Sequence, residues 1–259
     1  MGRLDNKVML VTGSGRGLGR SCAEISAREG AKVVVVDIHA ENGEETIRLI
    51  KNAGGDAIFV RADVSSSVDV QAMVRAAEKT YGGLDCAINN AMYSKGFSAF
   101  ADVAEEDWDR SIAVNLKGVF LCIKYELQAM LRRGGGAIVS IGSGNEHGAA
   151  PGCTAYIAAK RGILGLTAVA ALEYADKNVR INAVGPGVMK TPAMHNTVEE
   201  NPRHIEFLKS LSPMGRFADP AEVAKAAVWL CTDEASFITG HTLVADGGAS
   251  AGKVFKNVV

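Results

Sequence analysis

Neither sign of charge dominates this chain: 28 lysines and arginines stand against 29 aspartates and glutamates, a formal net charge of −1 over 259 residues. A nucleic-acid binder needs a basic field to neutralise phosphates, so nucleic acid is not an expected partner. Cysteine is sparse and scattered. Cys22, Cys86, Cys122, Cys153 and Cys231 show no short Cys-Cys or Cys-His spacing, which points to buried free thiols rather than a disulfide framework or a zinc site. The five histidines form no His-Glu-x-x-His or His-x-x-x-His pair, so no metal is expected. Long apolar runs are missing as well: no window reaches the roughly 18 uninterrupted apolar residues of a membrane span. The charged start, Met1-Gly-Arg-Leu-Asp-Asn-Lys7, meets its first apolar run only at Val8, unlike a secretory signal. A soluble, cytoplasmic protein is expected.

What is present is ordinary globular material, 47% apolar and 22% charged, which disfavours disorder, collagen and repeat arrays. The length fits one large α/β domain. Apolar, β-branched runs at 8–12, 32–37, 57–60, 84–88, 137–141, 179–183 and 242–245 read as strands, and runs such as Val33 to Val36 are too apolar to have one wet face. Helical periodicity fills 17–29, 41–53, 66–81, 106–132, 154–176 and 220–232. Asp219-Pro220 supplies an N-cap and an N1 proline, and Gly30, Gly54-Gly55 and Gly134 to Gly136 mark helix ends. Such alternation builds a parallel sheet covered on both faces. The stretch 184–218, with Pro186, Pro192, Pro202 and Pro213, reads as a long irregular lid or binding loop.

The first strand runs into Thr12-Gly-Ser-Gly-Arg-Gly-Leu-Gly19 and then a helix. Glycines there let the backbone approach a pyrophosphate, and the helix start favours its charge. A tight turn alone needs no ligand, and the common Gly-x-Gly-x-x-Gly register fails because position 18 is Leu; the register that fits is Gly13-x-x-x-Gly17-x-Gly19. Asp37 ends the second strand, where a carboxylate would accept hydrogen bonds from an adenosine ribose and repel a 2′-phosphate. It would also serve as a plain helix cap. Arg16 pulls toward the phosphate, and Asp37 is given the greater weight. Tyr156 and Lys160 are i and i+4 neighbours on a helix, and a nearby ammonium would lower the phenol pKa from about 10 toward neutrality. Ser143 follows the fifth strand and Asn89-Asn90-Ala91 closes the fourth, both at the carboxyl edge where such sheets bind ligands.

Together these residues resemble the short-chain dehydrogenase/reductase family in its compact single-domain form, over nearly the whole chain. Ordered matches include the Thr12 to Gly19 turn, Asp63-Val64, Asn89-Asn90-Ala91, Asn115, Ser143, Tyr156 with Lys160, Asn182 to Gly187 with Thr191, and the C-terminal Asp246-Gly-Gly248. The resemblance implies a Rossmann-like, doubly wound seven-stranded parallel sheet forming one domain, 1–259, with a substrate lid at about 187–218. It implies reversible hydride transfer between NAD(H), preferred over NADP(H), and a secondary alcohol or ketone. Tyr156 would exchange the proton, Lys160 would lower its pKa and hold the nicotinamide ribose, Ser143 would orient the substrate oxygen, and Asn115 would anchor a relay water. The cofactor would lie along Gly13, Arg16, Gly17, Leu18, Gly19, Asp37 and Ile38, then Asp63, Val64, Asn90 and Ala91, and finally Pro186, Gly187, Met189 and Thr191, beside Tyr156 and Lys160. A homotetramer is implied, and the tail from Ala249 onward is expected to reach a neighbouring subunit's pocket.

One departure stands out: Met92 follows Asn-Asn-Ala where the family usually has Gly, and it is read as substrate shaping. Met92, Tyr93, Ser143, His147 and Met194 are the expected substrate contacts, and their apolar character suits a hydrophobic cyclic or aromatic substrate. Two other readings compete. One is an NADPH-dependent 3-oxoacyl-carrier reductase, against which the lack of a basic docking cluster counts. The other is a non-catalytic dinucleotide-binding scaffold, which would have no use for Ser143, Tyr156, Lys160 and Asn115.

Overall fold

The computed structural model describes residues 2–144, 149–191 and 202–252. Seven strands, β1 (Val8–Thr12), β2 (Lys32–Asp37), β3 (Asp56–Arg61), β4 (Cys86–Asn89), β5 (Gly136–Ile141), β6 (Val179–Pro186) and β7 (Thr242–Ala245), form one sheet in the order β3-β2-β1-β4-β5-β6-β7. Every pairing is parallel. The chain winds one way through β1, β2 and β3 and the other way through β4 to β7, so the crossovers diverge between β1 and β4 and open a crevice above their carboxyl ends.

The apolar strands are explained by which side each residue feeds. Met9, Val11, Val33 and Val35 enter the core on one face, against α1 (Gly17–Arg28), α2 (Ala40–Asn52) and a C-terminal helix (Pro220–Cys231). Val8, Leu10, Val34 and Val36 enter the other, under α3 (Ser67–Tyr81), α5 (Gly118–Arg133) and α6 (Thr154–Tyr174). Each such side chain contributes about 1.5–3 kcal/mol of burial, and a polar substitution at any of them would forfeit it. Asp219 caps the C-terminal helix by accepting from the Ala221 N–H, and Glu222 reaches back to the Asp219 N–H. By length and composition α6 and its continuation, Thr154–Lys177, are apolar enough to cross a membrane, at a mean hydropathy of 1.3.

Two expectations need correction. The helix read as continuous over 106–132 is α4 (Glu105–Ile112), a π-helical stretch Ala113–Lys117, and α5. The widened turn carries Asn115, whose side chain is bonded to the backbone of Tyr93 rather than left along a smooth helical face. The stretch read as irregular over 184–218 begins with the end of β6, since Val184 to Pro186 keep pairing with Leu243 to Ala245. It also contains a helix, α7 (Pro202–Ser210), which makes the Pro220–Cys231 helix α8.

Candidate active site

The glycine-rich turn is built by close approach. Gly13 and Gly17 take φ of +62° and +56°, in the left-handed region that favours glycine. A Cβ on Gly19 would stand 2.1 Å from the Gly13 carbonyl oxygen, so α1 starts directly against the turn. Side chains stitch the turn to the sheet on both sides. Thr12 Oγ1 accepts from the Asn90 and Ala91 N–H groups at 3.0 and 3.2 Å, and Asn90 Nδ2 donates to the Thr12 and Gly13 carbonyls at 3.1 and 3.0 Å. The Asp37 carboxylate accepts from Gly15 N–H at 2.8 Å and His39 N–H at 2.9 Å, which fixes it at the end of β2.

A cavity of about 620 Å³ runs from this turn over the carboxyl edge. Gly13, Arg16, Gly17, Leu18, Asp37 and Ile38 line it, as do Asp63, Val64, Asn90 and Ala91. Tyr156, Lys160, Pro186, Gly187, Met189 and Thr191 complete its wall. Gly19 does not line it, because its place in the first turn of α1 puts it behind Gly13, where its lack of a Cβ serves packing. A long cleft that begins at left-handed glycines and a helix start, passes a fixed carboxylate and ends at Tyr156 and Lys160 fits an extended dinucleotide. Arg110 lies on the same wall and pairs with Asp63 at 3.0 Å. Burial acts to raise the Asp63 carboxyl, but hydrogen bonds from Ser65 and Arg110 outweigh it and hold the group below the usual range. Arg110 was not legible in sequence, since nothing links two residues 47 positions apart except the fold.

Ser143 follows β5, and Tyr156 and Lys160 share the first turns of α6. The Ser143 side chain is hydrogen-bonded to the Tyr156 phenol. Lys160 is only 4% exposed; its Nζ lies 5.7 Å from the Tyr156 ring centroid and donates to the Ile141 carbonyl at 2.6 Å. Burial pulls the ammonium down to about 8. Burial also pushes the phenol above its ordinary 10, with the Ser143 hydrogen bond acting the other way. The expectation of a phenol made acidic by Lys160 is therefore reversed in direction. Both groups are desolvated, and the ammonium is bound to a carbonyl and lies over the ring. At neutral pH the phenol is a proton donor.

Asn115 is fully buried. Its Oδ1 accepts from Tyr93 N–H at 2.8 Å, and its Nδ2 donates to the Tyr93 carbonyl at 2.8 Å and to Ser111 Oγ at 3.0 Å. Both amide protons are engaged, so the side chain clamps the loop after β4; the relay water expected of it would not be held by those protons.

On the far side of Tyr156 a second cavity of about 520 Å³ is lined by Ser143, Tyr156, Leu211, Ser212 and Asp246 among others, and a smaller one of about 270 Å³ by Tyr93, Phe97 and Cys153. Met92 is 55% exposed on the wall of the dinucleotide-sized cavity and does not fill it. Tyr93 lines that cavity and the one of about 270 Å³. The expected contacts His147 and Met194 lie outside the described residues. Ala249 and Ser250, expected to reach a neighbouring subunit, line the chain's own cavity beside Ser143. Among the described residues no group of three or more His, Cys, Asp or Glu is placed to hold a metal.

The family model described as enoyl-(acyl carrier protein) reductase matches residues 13–250. The chain belongs to the short-chain dehydrogenase/reductase family. It is 40% identical to the 2,5-dichloro-2,5-cyclohexadiene-1,4-diol dehydrogenase of Sphingobium indicum, over 97% of this chain and 100% of that protein. It is 41% identical to the cyclohexanol dehydrogenase of Acinetobacter sp. strain SE19, over 95% of each. The crystal structure of levodione reductase superposes with a TM-score of 0.92 at 32% identity, covering 96% of this chain and 99% of that one. The protein is a short-chain dehydrogenase/reductase enzyme of the alcohol dehydrogenase kind, in a family that works with NAD(P)(H).

Proposed function

We propose that this enzyme oxidises hydrophobic cyclic or aromatic secondary alcohols, and reduces the matching ketones, using NAD(H) in preference to NADP(H). The observation that carries the reading is that Tyr156 lies on the wall of both the dinucleotide-sized cavity and the cavity containing Ser143. A substrate oxygen held between Ser143 and Tyr156 is then next to whatever occupies the end of the longer cleft. The dinucleotide, when bound, supplies the hydride donor or acceptor. Ser143 orients the substrate oxygen through its hydroxyl. Tyr156 Oη gives up its proton as a carbonyl becomes an alcohol and takes it back in the reverse direction, a transfer worth about 10²–10⁴ in rate. Lys160 keeps a cationic donor behind the phenol and would hold the nicotinamide ribose.

The preference for NAD(H) rests on Asp37. Its carboxylate is locked by Gly15 and His39 on the cavity wall, where a 2′-phosphate would be repelled, while Arg16 on the same wall is exposed and free to swing into solvent. The cyclic substrate class rests on the relatives named for cyclohexanol and a cyclohexadiene diol, and on the partly apolar second cavity. The same reading makes the chain one domain, with 187–218 as the lid, working as a cytoplasmic homotetramer.

Cofactor reduction by purified protein, followed by absorbance against cyclohexanol, 1-phenylethanol and 2-butanol, tests the proposal. The cyclic and aromatic alcohols should lead in kcat/KM, and NADP should be at least about tenfold worse than NAD. Turnover confined to NADPH and a 3-oxoacyl thioester would replace this reading with the acyl-carrier reductase.

A further inference from the structure

Asp246 stands immediately after β7 and belongs to no catalytic set, yet its surroundings are unusually constrained. It is 8% exposed. Its Oδ1 accepts from the Gly248 N–H at 2.9 Å and its Oδ2 from the Ser250 N–H at 2.7 Å, so a single carboxylate winds the turn that ends the described chain. Charge-assisted bonds of this kind are about twice as strong as neutral ones. The Asp246 backbone is wedged against the strand end beside it: a Cβ on Gly187 would stand 2.7 Å from Asp246 Cα. Gly247 takes a φ of +64°, in the left-handed region that favours glycine.

The Gly247 carbonyl is one point at which the segment after α7 attaches. Gly247 O accepts from Ser212 Oγ at 3.2 Å and from Met214 N–H at 3.3 Å, both in the segment directly after α7. Leu211, Ser212, Asp246, Ala249 and Ser250 then share one cavity wall facing Ser143 and Tyr156. We infer that Asp246 is a positioning residue that, through the Gly247 carbonyl, latches the lid segment after α7 onto the substrate cavity and so sets substrate affinity and size selection without touching the reacting atoms. The inference rests on the proposed function, in that it takes this cavity as the substrate site. The geometry gives the reason for the effect: without the carboxylate, the turn loses both of its side-chain anchors, the Gly247 carbonyl is held less firmly, and the lid must be ordered by the substrate at the expense of binding energy.

The test uses full-length wild type, Asp246→Ala, Asp246→Asn and Ser212→Ala, with cyclohexanol and saturating NAD. KM should rise about tenfold in Asp246→Ala while kcat falls less than about threefold and NADH affinity stays within about twofold. Asp246→Asn, which keeps one acceptor oxygen, should recover part of the loss, and Ser212→Ala should raise KM about threefold. An unchanged KM in Asp246→Ala, or a parallel collapse of kcat and NADH affinity, overturns the inference. Should Asp246→Ala not fold, an unchanged KM in both remaining variants overturns it. If wild type turns over no alcohol at all, the proposed function fails separately. Hydrogen exchange then decides the latch: amides of 205–215 should exchange faster in Asp246→Asn than in wild type, and equal rates would reject it.

Discussion

Gly19 has no room for a methyl group. The carbonyl oxygen of Gly13 would lie 2.1 Å from its Cβ, and Asn90 Nδ2 would lie 2.5 Å away, so both the turn and its tie to β4 would have to move. Gly19→Ala should therefore destabilise the fold by about 1–3 kcal/mol and weaken NADH binding at least about tenfold, even though Gly19 touches no cofactor. A thermal melt and a fluorescence titration would check both; a variant with wild-type affinity would show that the turn tolerates displacement. At this same scale the residues proposed for catalysis were legible in the chain. Spacing puts Tyr156 and Lys160 one helical turn apart, whereas Ser143, which follows a different element, was joined to them only by the family resemblance. What spacing does not reveal is the electrostatic outcome. Whether the ammonium or burial governs the phenol depends on where Lys160 Nζ is held, and the Ile141 carbonyl that holds it comes from another element. The Arg110–Asp63 pair on the cleft wall and the contact of Ser212 with Gly247 were missed for a related reason, because their partners are contributed by distant segments.

Between elements, β1, β2 and β7 match their expected bounds, the first two because burial on both faces makes them continuously apolar, whereas β6 runs three residues past its expected end. The π-helical interruption before α5 was not, since Ala113 to Lys117 carry no helix breaker and the widening comes with tertiary bonds from Asn115. A second tertiary feature lies where α5 crosses β4. Glu126 is fully buried, with Oε2 accepting from Asn89 Nδ2 at 2.9 Å and Oε1 without a hydrogen-bond partner. Burial pushes its carboxyl from 4.5 to about 8, against the Asn89 hydrogen bond. The folded state thus binds a proton that the unfolded chain releases in this range. Stability from this group is full below the unfolded value, is lost as pH rises toward about 8, and levels off above it. Glu126→Gln keeps the bond from Asn89 and removes the charge. Urea denaturation at acid and alkaline pH should find the variant stabler than wild type at alkaline pH, by on the order of 5 kcal/mol, with little difference at acid pH. Equal pH dependence in both proteins would place the ionised carboxylate comfortably in the core.

For the whole molecule, the apolar side chains of the region 106–132 are largely spent within the chain. Val114, Val119, Ile123, Leu127 and Met130 are buried in the core under the sheet. What remains outward is a smaller set, Phe120 and Leu131 on α5 and Val169 and Leu172 on α6, with Leu172 85% exposed. The proposed homotetramer would use these residues. Wild type should run near four times the 27.1 kDa chain mass in light scattering, and Leu172→Glu with Phe120→Glu should run smaller; a wild-type monomer would remove the proposal. Three cavities meet at the Tyr156 side chain, and the account stands on what its phenol does. The most direct test is Tyr156→Phe, assayed for cyclohexanol oxidation and for NADH binding. Loss of at least about 10³ in kcat with NADH affinity unchanged is the predicted result. Turnover retained within about tenfold of wild type would contradict the account.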